Sequence, residues 1–337
     1  MIMAPRAAIF GCRGPELGPD ERAFFAEADP WGFILFSRNI VAPDQVRRLA
    51  ASLREAVGRD APILIDQEGG RVARLHPPLW RGWADALDEV ETLAEPASRA
   101  EAMRLRYRLI AAELADLGID VNCAPLADVA QADTHPFLRS RCYGNDPETV
   151  AHIGRAVADG LLAGGVLPVL KHVPGHGRAR ADSHHDLPTV TTPLSELGIT
   201  DFAPFRALAD LPLAMTAHIV YTALDPERPA TLSPTCIAAI REMIGFQGAL
   251  MTDDLSMRAL DGPMEARARA ALAAGCDLVL HCNGDRSEME MVAAGTPPLA
   301  DEAAVRAARA LAMRRPADEA DPAGLEAALA ELRNARA

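Results

Sequence analysis

The sequence predicts an α/β protein, a single-domain TIM-like (β/α)8 barrel with C-terminal helices. Two observations carry that prediction. Eight short apolar runs, mostly uninterrupted by charge and not alternating, have the composition of parallel strands covered on both faces. Helical segments separate the runs, and eight strands interleaved with helices is the count of a closed (β/α)8 barrel. Residues 1–337 contain no internal repeat, low-complexity linker or composition shift that would mark a second unit, so one domain is expected.

The strands are expected at residues 7–10, 32–36, 62–65, 120–124, 165–170, 213–216, 249–252 and 277–281. Residues 1–10 lack a long apolar stretch followed by a small-residue cleavage site, and they read as the first strand instead of a signal peptide. Helices at about 43–57, 148–162, 193–208 and 236–244 fill most of the gaps. Another is expected to start at a capping box formed by Ser98 and Glu101. Its residues Met103, Tyr107, Ile110, Leu114 and Leu117 share one face, and Gly118 stops it where a left-handed cap needs no side chain. Pro263 suits a first-turn position of a further helix that Gly275 ends. The Ala- and Glu-rich residues 301–337 read as two amphipathic helices, a solvated appendix without chemistry.

Composition removes several function classes. The chain is 49% hydrophobic and 24% charged, and its 34 Lys and Arg against 47 Asp and Glu give a net charge of −13. So acidic a surface repels polyphosphate, which argues against nucleic-acid binding. Aromatics at 4% are too few for base-stacking platforms, and no apolar run approaches the roughly 20 residues that span a bilayer. Cys12, Cys123, Cys142, Cys236, Cys276 and Cys282 show no metal-like spacing, and reduced buried thiols in a cytoplasmic protein are expected.

In such barrels the reactive groups sit at the C-terminal ends of the strands. Polar residues do follow the apolar runs: Ser37, Arg38 and Asn39 after the second, Asp66 through Arg71 after the third, Lys171 and His172 after the fifth, His218 after the sixth, Asp253 and Asp254 after the seventh. Charges abutting buried strands are costly unless paired or used, so a shared polar pocket is expected. His172, His176, His184 and His185 invite a metal reading, but Pro174 and Gly175 make a continuous helix between the first two improbable, and no metal is assigned. Asp182 lies two before His184, which in an extended segment puts both on one side. A carboxylate bonded to one imidazole nitrogen orients the ring and leaves the other nitrogen for proton transfer. The insert 175–182, with two Gly and two Ala, has the composition of a loop able to open and close over a site. Of Asp253 and Asp254, alternation points one into the mouth and leaves the other as a helix cap.

These residues resemble family 3 of the glycoside hydrolases, and within it the bacterial β-N-acetylhexosaminidases. KHVPGHGRARADSHHDLP (171–188) is similar to the family's KHFPGHG…DSH segment, with DQEGGRV (66–72), RCYG (141–144), MTAHIVY (215–221) and GFQGALMTDDLSM (245–257) in the family's order. Val173 stands where the family commonly has Phe, and Cys142-Tyr143 where it has Ser-Phe. The resemblance implies Asp253 as nucleophile, His184 as acid/base held by Asp182, and Asp66, Arg74, Arg141, Lys171 and His172 as sugar-binding residues. It implies no cofactor, no nucleic-acid or membrane partner, a monomer, and a small glycoside substrate. The reaction the resemblance implies is retaining hydrolysis of terminal β-linked N-acetylglucosamine, with cytoplasmic muropeptides of cell-wall recycling as the natural source and chitin-derived disaccharides or other β-glycosides as alternatives. Two rival readings remain: a metal-dependent hydrolase using His172, His176, His184 and Asp253, and a carbohydrate-binding module without catalysis.

Overall fold

Alternation of side chains along short, wholly apolar strands builds the architecture. The computed structural model describes residues 4–180 and 186–335. Its strands are β1 (Arg6–Gly11), β2 (Pro30–Leu35), β3 (Ile63–Ile65), β4 (Val121–Asn122), β5 (Leu167–Val173), β6 (Thr189–Val190), β7 (Leu213–Thr216), β8 (Val220–Tyr221), β9 (Ala249–Asp254) and β10 (Leu278–His281). Eight close into a barrel in the order β1, β2, β3, β4, β5, β7, β9, β10, every neighbouring pair parallel. The strands β6 and β8 form a separate two-stranded parallel sheet that the sequence reading did not include.

Period two sorts the strand residues. Ile9, Ile34, Leu64, Val121, Val169, Met215, Met251 and Leu280 fill the barrel interior, whereas Phe10, Phe33, Ile63, Leu170, Ala214, Leu250 and Val279 turn outward against the helices. Both faces are therefore buried, which is why the strands read as continuous apolar runs.

Helices cover the outside, with several departures from expectation. The Pro96–Asp116 helix begins before Ser98, with Pro at its first turn and Glu95 at the cap, so the Ser98–Glu101 capping box is not what starts it. Proline has no N–H to leave unpaired and a φ already set for a helix, and it moves the start upstream. Gly118 follows this helix at φ +76°, as a left-handed terminator should. The single helix expected over 193–208 is two, Leu194–Ile199 and Ala203–Ala207, because Pro204 opens the second and cannot donate within a continuing first. The helix expected over 236–244 runs Pro234–Ala239 and then widens into one π turn, Ile240–Ile244, ended by Gly245 at φ +84°. Pro263 caps the Met264–Ala274 helix from just outside.

The C-terminal helices are Asp301–Ala312 and Pro322–Asn334, and they are not the solvated appendix that their composition suggested. Ala307 and Ala310, each 2% exposed, close the barrel floor together with Ala7, Trp31, Leu167 and Leu278. Leu329 packs on Leu93, Leu105 and Leu109, and Arg333 grips buried Glu89 with two hydrogen bonds of 2.7 and 2.6 Å. An alanine stripe admits close approach, and the barrel floor is what it approaches. No helix among the described residues is long and apolar enough to cross a membrane.

Leu167→Ala, which empties space inside the barrel, should destabilise by about 2–5 kcal/mol. Val305→Ala, on the exposed side of the floor helix, should change stability by less than ~0.5 kcal/mol. Denaturant unfolding of the two variants checks this contrast.

Candidate active site

Because all eight barrel strands run the same way, their C-terminal ends meet at one mouth, and the residues that follow each strand face one another there. The mouth holds an open cavity of about 280 Å³ lined by Phe36, Asp66, Arg74, Arg141, Lys171, His172, Asp253 and Asp254, among others. Met215, Leu280 and Cys282, from the barrel's interior layer, are apolar parts of its lining.

One wall is an alternating row of charges. Arg74 donates from Nη2 to Asp66 Oδ2 (3.1 Å), and Lys171 donates from Nζ to Asp66 Oδ1 (2.9 Å). The same ammonium lies 2.6 Å from Glu68 Oε1. Arg141 closes the row, donating from Nε to Glu68 Oε2 (2.9 Å) and from Nη2 to Glu68 Oε1 (2.8 Å), the two-point geometry of a guanidinium and a carboxylate. Lys171 is 2% exposed and Glu68 3%. Burial opposes the charge of Asp66, yet Lys171 and Arg74 outweigh it and hold the carboxyl well below the usual carboxylate range. Burial likewise opposes the ammonium of Lys171, and the two carboxylates keep it protonated beyond the ordinary lysine range. The loop carrying Asp66 and Glu68 turns at Gly69 (φ +82°), where a Cβ would stand 2.2 Å from Arg106 Nη2, so only glycine fits.

A second part of the lining is set by Asp128. This fully buried carboxylate accepts from His172 Nδ1 (2.8 Å) through Oδ2, and from the backbone N–H of His172 (3.3 Å) and of His176 (2.6 Å) through Oδ1. Bonding one ring nitrogen this way fixes the direction of the His172 imidazole at the cavity. His176 also lines the cavity, and burial, then the neighbouring His172, pushes its pKa down to about 4. Phe36 and Phe137 add ring faces, with the guanidinium carbon of Arg74 5.1 Å from the Phe36 centroid and that of Arg141 5.1 Å from the Phe137 centroid.

At the end of β9 both aspartates line the cavity, not the single one that alternation predicts, and they differ in their partners. Asp254 accepts from Ser256 N (3.0 Å), Ser256 Oγ (2.6 Å) and Cys282 N (3.1 Å), tying the turn after β9 to the end of β10. It caps a turn and not a helix, since the next helix begins only at Met264. Asp253 lines the cavity, and its Oδ1 accepts the following backbone N–H at 2.7 Å. His218, at the tip of β7, is held by Thr231 Oγ1 (2.7 Å) and the Asp254 carbonyl (3.1 Å), a supporting role behind the two aspartates.

Six of the residues singled out from the sequence, Asp66, Arg74, Arg141, Lys171, His172 and Asp253, are thus brought to one cavity from β3, β5, β9 and the loop after β4. Asp182 and His184 lie outside the described residues. Sequence reasoning gave no role to Glu68 or Asp128. Asp128 had a signal, a single charge inside the apolar stretch 126–130, whereas the partner of Glu68, Arg141, is 73 residues away. Among the described residues no three His, Cys, Asp or Glu side chains are grouped so as to hold a metal ion.

Fold and site define a barrel enzyme whose cavity offers fixed carboxylates and cations to a small, many-hydroxyl ligand. The glycosyl hydrolase family 3 N-terminal domain matches residues 20–309, and the chain belongs to that family of glycoside hydrolases. It is 37% identical to a β-hexosaminidase of Alkalilimnicola ehrlichii over 84% of this chain and 82% of the relative, and 39% identical to that of Methylococcus capsulatus over 82% of each. Among solved structures, NagZ from Neisseria gonorrhoeae in complex with N-trifluoroacetyl-D-glucosamine superposes with a TM-score of 0.87 at 28% identity, over 99% of both chains.

A depressed histidine pKa has a definite sign. The unfolded chain binds a proton at residue 176 near pH 6.5 and the folded chain only near 4, so stability is lost as pH falls through that window. The loss assigned to His176 is about 3 kcal/mol. His176→Gln should flatten the fall in unfolding free energy between pH 6.5 and 4 by about one proton's worth, and an unchanged slope would contradict the assignment.

Proposed function

We propose that this chain hydrolyses terminal β-linked N-acetylglucosamine with retention of configuration, using Asp253 as nucleophile and His184, oriented by Asp182, as acid and base. The observation that carries the reading is the place of Asp253, at the tip of β9 in the same cavity as the Arg74–Asp66–Lys171–Glu68–Arg141 row. A sugar ring seated against that row would meet acceptors for its hydroxyls in Asp66 and in the second ring nitrogen of His172, and donors in Arg74, Lys171 and Arg141. The β-hexosaminidase relatives support the substrate class.

The chemistry follows from two groups with separate tasks. The Asp253 carboxylate attacks the anomeric carbon as the glycosidic C–O bond breaks, and His184 gives its proton to the departing oxygen. Water, giving a proton back to His184, then displaces the Asp253 carboxylate and frees the sugar with its original configuration. A carboxylic acid needs its pKa raised to act as a proton donor near neutrality, whereas histidine starts at about 6.5 and needs little adjustment. The roles of Asp182 and His184 rest on the DSH resemblance of residues 182–184.

The natural substrates in this reading are muropeptide fragments carrying N-acetylglucosamine on anhydro-muramic acid, and the setting is peptidoglycan recycling in the cytoplasm. Six free buried cysteines suit a reducing compartment. The protein is taken to act as a single-domain monomer over residues 1–337, without cofactor, nucleic acid or membrane.

Against a chromogenic N-acetyl-β-glucosaminide, the wild-type protein should turn over after exhaustive chelation. Asp253→Ala should abolish turnover. His184→Ala should keep slow activity that recovers best with acidic leaving groups, which need no proton. Equal loss on all leaving groups would remove the acid role from His184.

A further inference from the structure

Glu68 lies just off the cavity and carries none of the roles assigned above, yet two cations of the wall share it. Its Oε1 is within hydrogen-bond distance of both Lys171 Nζ (2.6 Å) and Arg141 Nη2 (2.8 Å), and its Oε2 accepts from Arg141 Nε (2.9 Å). One carboxylate oxygen therefore bridges two buried cations. Like charges so placed repel, and only an anion between them lets both point at the same cavity.

The carboxylate can do this because its own backbone is fixed on both sides. The Glu68 N–H donates to Val72 O (3.0 Å). Its carbonyl accepts from Arg106 Nη2 (2.9 Å) and from Tyr107 Oη (2.9 Å), two adjacent and fully buried residues of the Pro96–Asp116 helix. Arg106 Nη2 donates to Ala84 O as well (2.9 Å), so a buried guanidinium clamps the loop from beneath.

We propose that Glu68 is a positioning residue for glycoside binding: it holds Lys171 and Arg141 at the separation and direction with which they meet the sugar, without touching the sugar itself. This rests on the functional reading above, in which those two cations bind the substrate.

The geometry makes the test sharp. Glutamine at this position keeps the size of the side chain but offers one acceptor and one NH2 donor. In either orientation of the amide, a donor faces a cation that now needs an acceptor. Glu68→Gln should raise KM for the chromogenic N-acetyl-β-glucosaminide about tenfold or more while kcat stays within about threefold, since uniform binding is what is removed. Glu68→Asp keeps the charge but withdraws it by one methylene, and should give a smaller rise in KM. Calorimetric binding of N-acetylglucosamine should weaken in the same order. Should Glu68→Gln fail to fold, the Glu68→Asp comparison carries the test alone. A folded variant with a lower unfolding midpoint but wild-type KM, kcat and N-acetylglucosamine affinity would make the residue merely structural and overturn the proposal. Wild-type protein that fails to cleave the glycoside would instead overturn the functional reading, and this one with it.

Discussion

The site depends on a row of five alternating charges, Arg74, Asp66, Lys171, Glu68 and Arg141, in contact at the mouth of an apolar barrel, with Lys171, Glu68 and Arg141 buried and Asp66 and Arg74 half-buried. Taking any one of them out of water alone would cost several kcal/mol, and the row is tolerable only because each charge has an opposite neighbour at hydrogen-bond distance. That constraint turns flexible side chains into fixed ones. A lysine with two carboxylates on its ammonium has little freedom to wander, and an arginine in a two-point grip has less. The wall of the cavity is therefore set before any ligand arrives, so little binding energy would be spent on ordering the protein.

The barrel makes this row possible by bringing together residues that are far apart in sequence. Asp66 and Glu68 follow β3, Arg141 comes from the loop after β4, and Lys171 is part of β5 itself, since that strand continues to Val173. His172, the next residue, lines the same cavity and is oriented by Asp128. At β9 Asp253 and Asp254 both line the cavity, and the hydrogen bonds of Asp254 to Ser256 and Cys282 tie down the strand end.

Much of this was legible in the sequence because strands apolar on both faces can only be covered strands, and charges directly after them need a common destination. Asp66, Arg74, Arg141, Lys171, His172 and Asp253 were found that way together with the motif resemblance, and they do share the cavity. What escaped was whatever depends on a distant partner. Glu68 sat in view beside Asp66, but nothing local revealed that Arg141 and Lys171 would share its oxygens. The floor helix was recognised as amphipathic, and its alanine face gave no hint that the barrel's lower end would cover it. The Ser98–Glu101 pattern misled because a proline two residues earlier is the stronger start signal.

The central step of the proposed reaction is a bond formed between the carboxylate of residue 253 and the sugar. Slow substrates of the 5-fluoro-N-acetylglucosaminyl fluoride kind accumulate that intermediate, and peptide mapping by mass spectrometry locates the label. A single adduct on Asp253 is the expected result. An adduct on Asp254 or another carboxylate, or steady turnover of the reagent with no adduct at all, would contradict the mechanism.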